Sequence, residues 1–175
     1  GVSFSLGRER LAIVGESGSG KSQTGRAVMG LTPPQATVTA TRMRFDDTDL
    51  IAMSPSQRRA VRGKRIAMIL QDPKYSLDPV MSIGRQIVET LRTHENVRAG
   101  EARERALDML AAVQIRDPKR VFDLYPHEVS GGMGQRAMIA MMLVAGPELL
   151  IADEPTSALD VTVQLDVLKI LDRLV

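Results

Sequence analysis

Residues 15–22 read GESGSGKS and follow an apolar run, LAIV, at residues 11–14. The eight residues fit the phosphate-loop pattern G-x-x-x-x-G-K-[ST] at every fixed position. A buried strand at residues 11–14 and a helix at residues 21–31 would supply the strand–loop–helix context that this motif requires. We therefore predict an α/β fold with a P-loop nucleotide-binding core. The loop alone could equally serve a kinase, a GTPase or a motor.

The glycines and polar residues of this loop explain how it could hold a phosphate. Glycines lack Cβ, so the backbone N–H groups can bend around an anion, and the helix that follows adds the positive end of its dipole. We expect Lys21 to hold the β- and γ-phosphates and Ser22 to place its hydroxyl on Mg²⁺. The residues assigned to ATP binding are Gly15, Glu16, Ser17, Gly18, Ser19, Gly20, Lys21, Ser22 and Gln23.

Two adjacent acids follow another apolar run. Residues 149–152 read LLIA and predict a strand, which is followed by Asp153, Glu154 and Pro155. Ligands bind at the carboxyl edge of an open α/β sheet, so both carboxylates are expected beside the nucleotide. We predict that Asp153 supports Mg²⁺ and that Glu154 is the general base for the water that attacks the γ-phosphate. An exposed acidic turn is the alternative.

Gln71 is expected at the same edge of the sheet. It ends the apolar run at residues 66–70 and precedes Asp72-Pro73, which stops a strand. A glutamine amide in this place can coordinate Mg²⁺ or hold the attacking water. We therefore assign Gln71 both as a metal ligand and as a catalytic residue. A polar turn residue is the alternative, since one glutamine in a loop is a weak signal.

A second turn that could bind an anion precedes the helix predicted to begin near Met133. Ser130 can cap this helix, while Gly131 and Gly132 leave its first N–H groups open to a phosphate. One nucleotide does not need two such surfaces within one subunit. We predict a two-fold dimer in which each ATP lies between one chain's phosphate loop and the other's Ser-Gly-Gly turn. Gln135 is assigned to the same nucleotide-binding set; a flexible serine–glycine loop is the alternative.

The rest of the sequence predicts one domain with a helical insertion. An apolar stripe with a charged opposite face indicates an amphipathic helix at Ala106, Leu107, Leu110 and Val113. We assign residues 1–81 and 146–175 to the α/β core and residues 82–145 to the helical subdomain. In the core we predict strands at residues 1–6, 11–14, 42–45, 66–70 and 149–152, and helices at residues 21–31 and 55–62.

Composition and charge exclude several classes of function. The net charge is only +2 and no long basic run occurs, which argues against a nucleic-acid surface. The longest apolar stretch, residues 137–146, is far shorter than the roughly 20 residues of a membrane-spanning helix. The chain has no cysteine, which is compatible with the cytosol. The chain has 175 residues and no initial methionine, so we expect it to be part of a larger nucleotide-binding domain.

With these motifs in this order, the chain closely resembles the ATPases of ABC transporters, in the subfamily that energises oligopeptide, dipeptide and nickel import. The resemblance covers nearly the whole chain. Its most specific stretches are GESGSGKS at 15–22, QDPKYSLDPVMSIGRQI at 71–87 and YPHEVSGGMGQRAMIAMMLVAGPELLIADEPTSALDVTVQ at 125–164. It implies that ATP is bound and hydrolysed between two nucleotide-binding domains, whose closure drives transmembrane permease subunits.

The same resemblance implies further partners and a location. The protein would lie at the cytoplasmic face of the cell membrane and work indirectly with a solute-binding protein. Residues 71–85 would contact a coupling helix of the permease, and residues 157–160 would cross the dimer interface. The adenine-stacking aromatic residue and the switch histidine would lie outside residues 1–175. A soluble ABC ATPase and a nucleotide-binding fragment without hydrolysis are the alternatives.

The sequence departs from the family pattern after the Ser-Gly-Gly turn. The usual LSGGMRQR has Val129 in place of leucine and Gly134 in place of arginine. Glycine within a helix costs about 0.5–1 kcal/mol relative to alanine. We expect Gly134 to weaken the helix and the affinity of this turn.

Overall fold

The fold combines a small parallel sheet, a short hairpin and a group of helices. The computed structural model describes residues 1–70, 76–156 and 161–174. Among these residues, no helix is both long and apolar enough to cross a membrane. In chain order the elements are α1 (Lys21–Met29), β1 (Arg44–Phe45), β2 (Thr48–Asp49), α2 (Pro55–Val61), β3 (Ile66–Ile69), α3 (Ile83–His94), α4 (Ala99–Ala112), α5 (Pro118–Asp123), α6 (Gly131–Leu143), β4 (Leu149–Ala152) and α7 (Val161–Leu174).

The two central strands, β3 and β4, pair in parallel. Ile66 lies opposite Leu149 and Ile69 lies opposite Ala152. All of β3 is buried, as its uninterrupted apolar run predicts. Because successive side chains of a strand point to opposite faces, Ile66 and Met68 join one apolar cluster and Ile69 joins another. The strands predicted at residues 66–70 and 149–152 are therefore confirmed, and β3 separates two cores.

The larger core lies among the helices. The stripe predicted on α4 is confirmed, because Ala106, Leu110 and Val113 are completely buried. These side chains pack in one cluster with residues of α3, α5 and α6, and Val167 and Ile170 of α7 join it. Residues 82–145 are thus mainly helical, as predicted, while their assignment as a separate subdomain stays a prediction.

Helix α1 packs closely on the sheet at a glycine. A Cβ on Gly25 would lie 3.1 Å from Ile151 Cγ2 and 3.3 Å from Met68 Cε, so a larger residue would push the helix away. Gly30, with φ 61°, ends α1 two residues earlier than predicted. The Arg62 Nε donates to the Met29 carbonyl at 2.7 Å and places a positive charge at this helix end.

The hairpin β1–β2 is joined to the sheet by Arg65. The Arg65 guanidinium donates to both carboxylate oxygens of Glu148, at 2.6 and 2.9 Å, and to Asp46 at 2.6 Å. It also lies 4.6 Å from the centre of the Phe45 ring. These hydrogen bonds lower the pKa of Glu148. Arg65 therefore connects the hairpin with the start of β4, a contact that no local sequence pattern predicts.

The strands predicted at residues 1–6 and 11–14 are wrong. These residues form no strand in the structure, and Val2 and Val14 are 69% and 89% exposed. A strand needs a neighbouring backbone to satisfy its hydrogen bonds. Within the described part of the chain the only strand that pairs with β3 is β4, and no strand pairs with residues 11–14. These residues are apolar, as the prediction assumed, but they are exposed.

Gly84 of α3 provides a test of the helical core. Its backbone lies against the Phe122 ring, and a Cβ there would overlap the ring carbons. We expect Gly84→Ala to lower the free energy of unfolding by about 1–3 kcal/mol, measured by urea denaturation. The matched control is Gly100→Ala in α4, where nothing lies within 4 Å and stability should be unchanged or slightly higher. If the midpoint of urea denaturation were unchanged in Gly84→Ala, this packing of Gly84 against Phe122 would be contradicted.

Candidate functional site

The phosphate loop presents an exposed backbone at the start of α1. Gly18 and Gly20 have φ of 80° and 96°, a region that L side chains rarely adopt. A Cβ on Gly15 would lie 2.7 Å from Ser19 Oγ. The structure therefore gives a steric reason for each of the three glycines in the motif.

Lys21 folds back over this loop. Its Nζ donates to the carbonyls of Gly15 and Glu16, both at 2.9 Å. The ammonium group thus lies beside the loop, where its charge balances the partial negative charge of two carbonyl oxygens.

The end of β4 meets the first turn of α1. Ser22 Oγ donates to Asp153 Oδ1 at 2.7 Å, although 131 residues separate the two in sequence. The Asp153 N–H donates to the Ile69 carbonyl at 2.9 Å, so the pairing of β3 with β4 extends to this residue. Asp153 is only 9% exposed. The structure thus brings together two of the three residues predicted to hold the metal.

The Ser22 and Asp153 oxygens suit Mg²⁺ in type and spacing. Mg²⁺ prefers hard oxygen ligands, and two adjacent ligands of an octahedral ion lie about 3 Å apart. In the described residues, no group of three or more histidine, cysteine or acidic side chains could hold a metal. A site of few protein ligands is typical of Mg²⁺ that is held together with a phosphate substrate. The third predicted ligand, Gln71, lies outside the described residues, as do residues 157–160.

Glu154 follows Asp153 in an uncommon backbone conformation. Its φ is 46°, in the left-handed region that few residues other than glycine occupy. Glu154 is exposed at the sheet edge, whereas the adjacent Asp153 is buried. Adjacent acids therefore have different surroundings, and Glu154 is the one with access to solvent.

Gln135 differs from its predicted place at the nucleotide. Its side chain is 1% exposed, and its Nε2 donates to the Pro155 carbonyl at 2.6 Å. An amide buried in this way does not line an open nucleotide-binding surface. The prediction assigned Gln135 to the nucleotide with the Ser-Gly-Gly turn, but Gln135 lies on the side of α6 that faces the interior.

The Ser-Gly-Gly turn has the predicted capping contact. Ser130 Oγ accepts a hydrogen bond from the Met133 N–H at 3.3 Å, and α6 begins at Gly131, slightly earlier than predicted. Ser130 and Gly131 are exposed. Within the described residues, no hydrogen bond joins this turn to the phosphate loop. The turn is therefore open to a ligand or partner outside the chain.

Gln86 is a polar residue of α3 that the sequence analysis missed. It is buried, and its Oε1 accepts from the Asp78 N–H at 2.8 Å. Its Nε2 donates to the carbonyls of Asp78 at 3.0 Å and Met81 at 2.8 Å. The loop that it braces presents Val80, which is 81% exposed. The sequence has this glutamine between the apolar residues of an amphipathic helix, a pattern that could have indicated a buried polar side chain.

Comparison with known proteins assigns the family. The sequence model of the ABC transporter family matches residues 1–157. This chain belongs to that family. A probable peptide ABC transporter ATP-binding protein of Sinorhizobium fredii is 53% identical over 98% of the chain and 52% of its own length. The oligopeptide transport ATP-binding protein of Bacillus subtilis is 49% identical over 99% of the chain and 49% of its own length. The chain spans about half the length of the curated relatives it matches.

Solved structures support the α/β fold of the P-loop type. A dimeric bacterial ABC transporter cassette superposes with a TM-score of 0.77 and 25% identity, covering 91% of this chain and 66% of that one. An ATP-binding cassette in a dimeric post-hydrolysis state with ADP and phosphate has a TM-score of 0.78 and 24% identity, covering 98% and 78%. The predicted fold class is therefore confirmed.

Gly134 offers a test of how α6 tolerates its glycines. The Gly134 N–H donates to the Ser130 carbonyl at 2.8 Å, and a Cβ would meet only Val129 Cγ2, at 4.0 Å. We expect Gly134→Ala to raise the free energy of unfolding by about 0.5–1 kcal/mol in urea denaturation. Gly132→Ala is the comparison, since its Cβ would lie 3.1 Å from Val163 Cγ1. This close contact should cancel the gain in the free energy of unfolding. A destabilised Gly134→Ala protein would contradict the space seen here.

Proposed function

We propose that this chain binds and hydrolyses ATP as the nucleotide-binding part of an ABC importer for peptides or related solutes. The observation that carries the proposal is the contact between Ser22 and Asp153, at 2.7 Å. It places the hydroxyl that ends the phosphate loop beside the first acid after β4. Two motifs that are far apart in sequence thus lie together, which supports the proposal.

ATP is expected to bind at the phosphate loop, residues 15–23. The exposed backbone N–H groups and the start of α1 favour a phosphate. Lys21 now donates to neutral carbonyl groups, and a charged phosphate oxygen is a stronger acceptor for an ammonium group. We therefore propose that Lys21 exchanges these carbonyls for the β- and γ-phosphates.

Mg²⁺ would be held by Ser22 and Asp153, with Gln71 as a further proposed ligand. When bound, the ion neutralises charge on the phosphates. The Ser22 hydroxyl, which now donates to Asp153, would instead offer a lone pair to the ion. The buried Asp153 carboxylate would supply the compensating negative charge.

Hydrolysis would depend on Glu154, with Gln71 proposed to help hold the water. The Glu154 carboxylate accepts a proton from water as the water oxygen attacks the γ-phosphorus. The bond from that phosphorus to the bridging oxygen breaks, giving ADP and phosphate. Glu154 follows the carboxyl end of β4, the edge at which ligands of α/β sheets bind.

The exposed turn at Ser130, Gly131 and Gly132 is proposed to contact ATP bound to a second nucleotide-binding domain. Its capped helix start leaves donor groups at the surface of the chain. The dimeric cassettes among the similar structures support this arrangement. The γ-phosphate would then hold two domains together until hydrolysis.

The transport role rests on the curated relatives, which include peptide, oligopeptide and dipeptide transport proteins. We propose that permease subunits are direct partners, that a solute-binding protein acts indirectly, and that the protein lies at the cytoplasmic face of the membrane. Val80, exposed on the loop that Gln86 braces, is a suitable apolar contact for a permease helix. The small net charge of +2 gives no reason to expect nucleic acid.

The proposed general base can be tested by Glu154→Gln in the intact protein. We expect ATP to bind normally and phosphate release to slow by about 10²–10⁴-fold, because the amide cannot accept the proton from water. Glu104→Gln, an exposed acid of α4, is the matched control and should leave the rate unchanged. Hydrolysis unaffected by Glu154→Gln would remove this residue from the mechanism.

The proposed dimer can be tested by light scattering on the slow Glu154→Gln protein. We expect the molecular mass to double with MgATP, because the γ-phosphate bridges the two domains. With MgADP we expect the mass of the monomer. Adding Ser130→Glu should prevent the doubling by repelling the phosphate, while ATP binding remains. A protein that binds ATP and stays monomeric would exclude the homodimer and favour a different partner subunit.

A further inference from the structure

Gln135 reaches from the interior of α6 to the turn that carries Glu154. It is 1% exposed, and its Nε2 donates to the Pro155 carbonyl at 2.6 Å. A polar side chain in the interior costs free energy unless its hydrogen bonds are satisfied. An apolar residue of the same length could fill this space, so the amide calls for an explanation beyond packing.

Glu154 needs support on both sides because its backbone is unfavourable. A residue other than glycine at φ 46° persists only where its surroundings fix it. On the side before Glu154, the Asp153 N–H donates to the Ile69 carbonyl of β3 at 2.9 Å. On the side after it, the Pro155 carbonyl accepts from Gln135. The strand pairing and the Gln135 amide therefore hold the two ends of this short turn.

We propose that Gln135 is a positioning residue for hydrolysis. By holding the Pro155 carbonyl it fixes the backbone of Glu154, and with it the place of the carboxylate that accepts the proton. Gln135 itself contacts neither the nucleotide nor the attacking water. This inference rests on the proposed function, in which Glu154 is the general base.

The position of Gln135 in α6 gives this contact a second consequence. The same helix begins at the Ser130 turn proposed to bind the partner's nucleotide. The next residue, Arg136, pairs with Asp166 of α7 at 3.1 Å and donates to the Gln114 carbonyl at 3.0 Å. Two consecutive residues of α6 therefore contact the turn after β4 and helix α7. The turn at Ser130 and the contact of Gln135 with Pro155 therefore belong to one helix.

The first test is Gln135→Met, which keeps the side-chain length and suits burial but removes the donor. In the intact protein we expect the single-turnover hydrolysis rate to fall about 10- to 10²-fold. The affinity for ATP and the ATP-dependent dimer should change less than about twofold. Met138→Leu, a buried substitution in the same helix, is the control and should leave the rate unchanged. An unchanged rate in Gln135→Met would overturn the inference.

A second test separates positioning from general loosening of the fold. If Gln135 acts through Glu154, Gln135→Met should not slow the residual hydrolysis of Glu154→Gln any further. A merely structural role would slow both backgrounds by the same factor, and that result would overturn the inference. Where Gln135→Met does not fold, Gln135→Leu replaces it, because leucine is apolar, suits burial and cannot donate.

The parent protein distinguishes this inference from the proposed function. If the parent hydrolyses ATP and the Gln135 variants do so at the same rate, only the positioning role is lost. If the intact parent binds no ATP or hydrolyses none, the proposed function and the inference both fail. A selective loss of rate that disappears in Glu154→Gln supports both.

Discussion

The parallel pairing of β3 with β4 is the constraint on which the candidate site depends. It joins segments far apart in sequence, beginning with Ile66 opposite Leu149. One more hydrogen bond, from the Asp153 N–H, extends the pairing past the end of β4. Because α1 packs on the same two strands at Gly25, this extension puts Asp153 within reach of Ser22. Without the pairing, the phosphate loop and the acids would be unrelated segments.

The parts of this fold that could be predicted are those in which burial leaves a pattern in the sequence. The residues of β3 are apolar without interruption because both faces are covered, and the stripe of α4 repeats because one face is covered. The apolar residues 11–14 show the limit of this reasoning. Their composition matches a buried strand, but pairing depends on a neighbouring backbone, which composition does not report. The strand predicted at residues 42–45 is shorter in the structure, Arg44–Phe45, and its partner Thr48–Asp49 is too short to leave any periodicity.

The candidate site also has residues that could be predicted from the sequence and residues that could not. Glycines of the phosphate loop were predictable because each answers a local requirement of backbone geometry, as Gly18 and Gly20 show. Gln135 and Gln86 were not, because their hydrogen bonds reach the backbone of other segments. A motif gives the order of residues but not the side of the helix that each one occupies. The predicted ligand contact of Gln135 rested on its neighbours in the motif, whereas its amide donates to the backbone of Pro155.

Helix α6 shows why exposed and buried residues of one motif can still act together. Its first residue, Gly131, is exposed, whereas Gly134, Gln135 and the stretch from Ala137 to Met141 are buried. Interiors resist compression, so the packed face of α6 holds Gln135 in place. The glycines cost helix stability locally, and the packed stretch offsets that cost. The turn open to a ligand and the amide that holds the Pro155 carbonyl are thus parts of one helix.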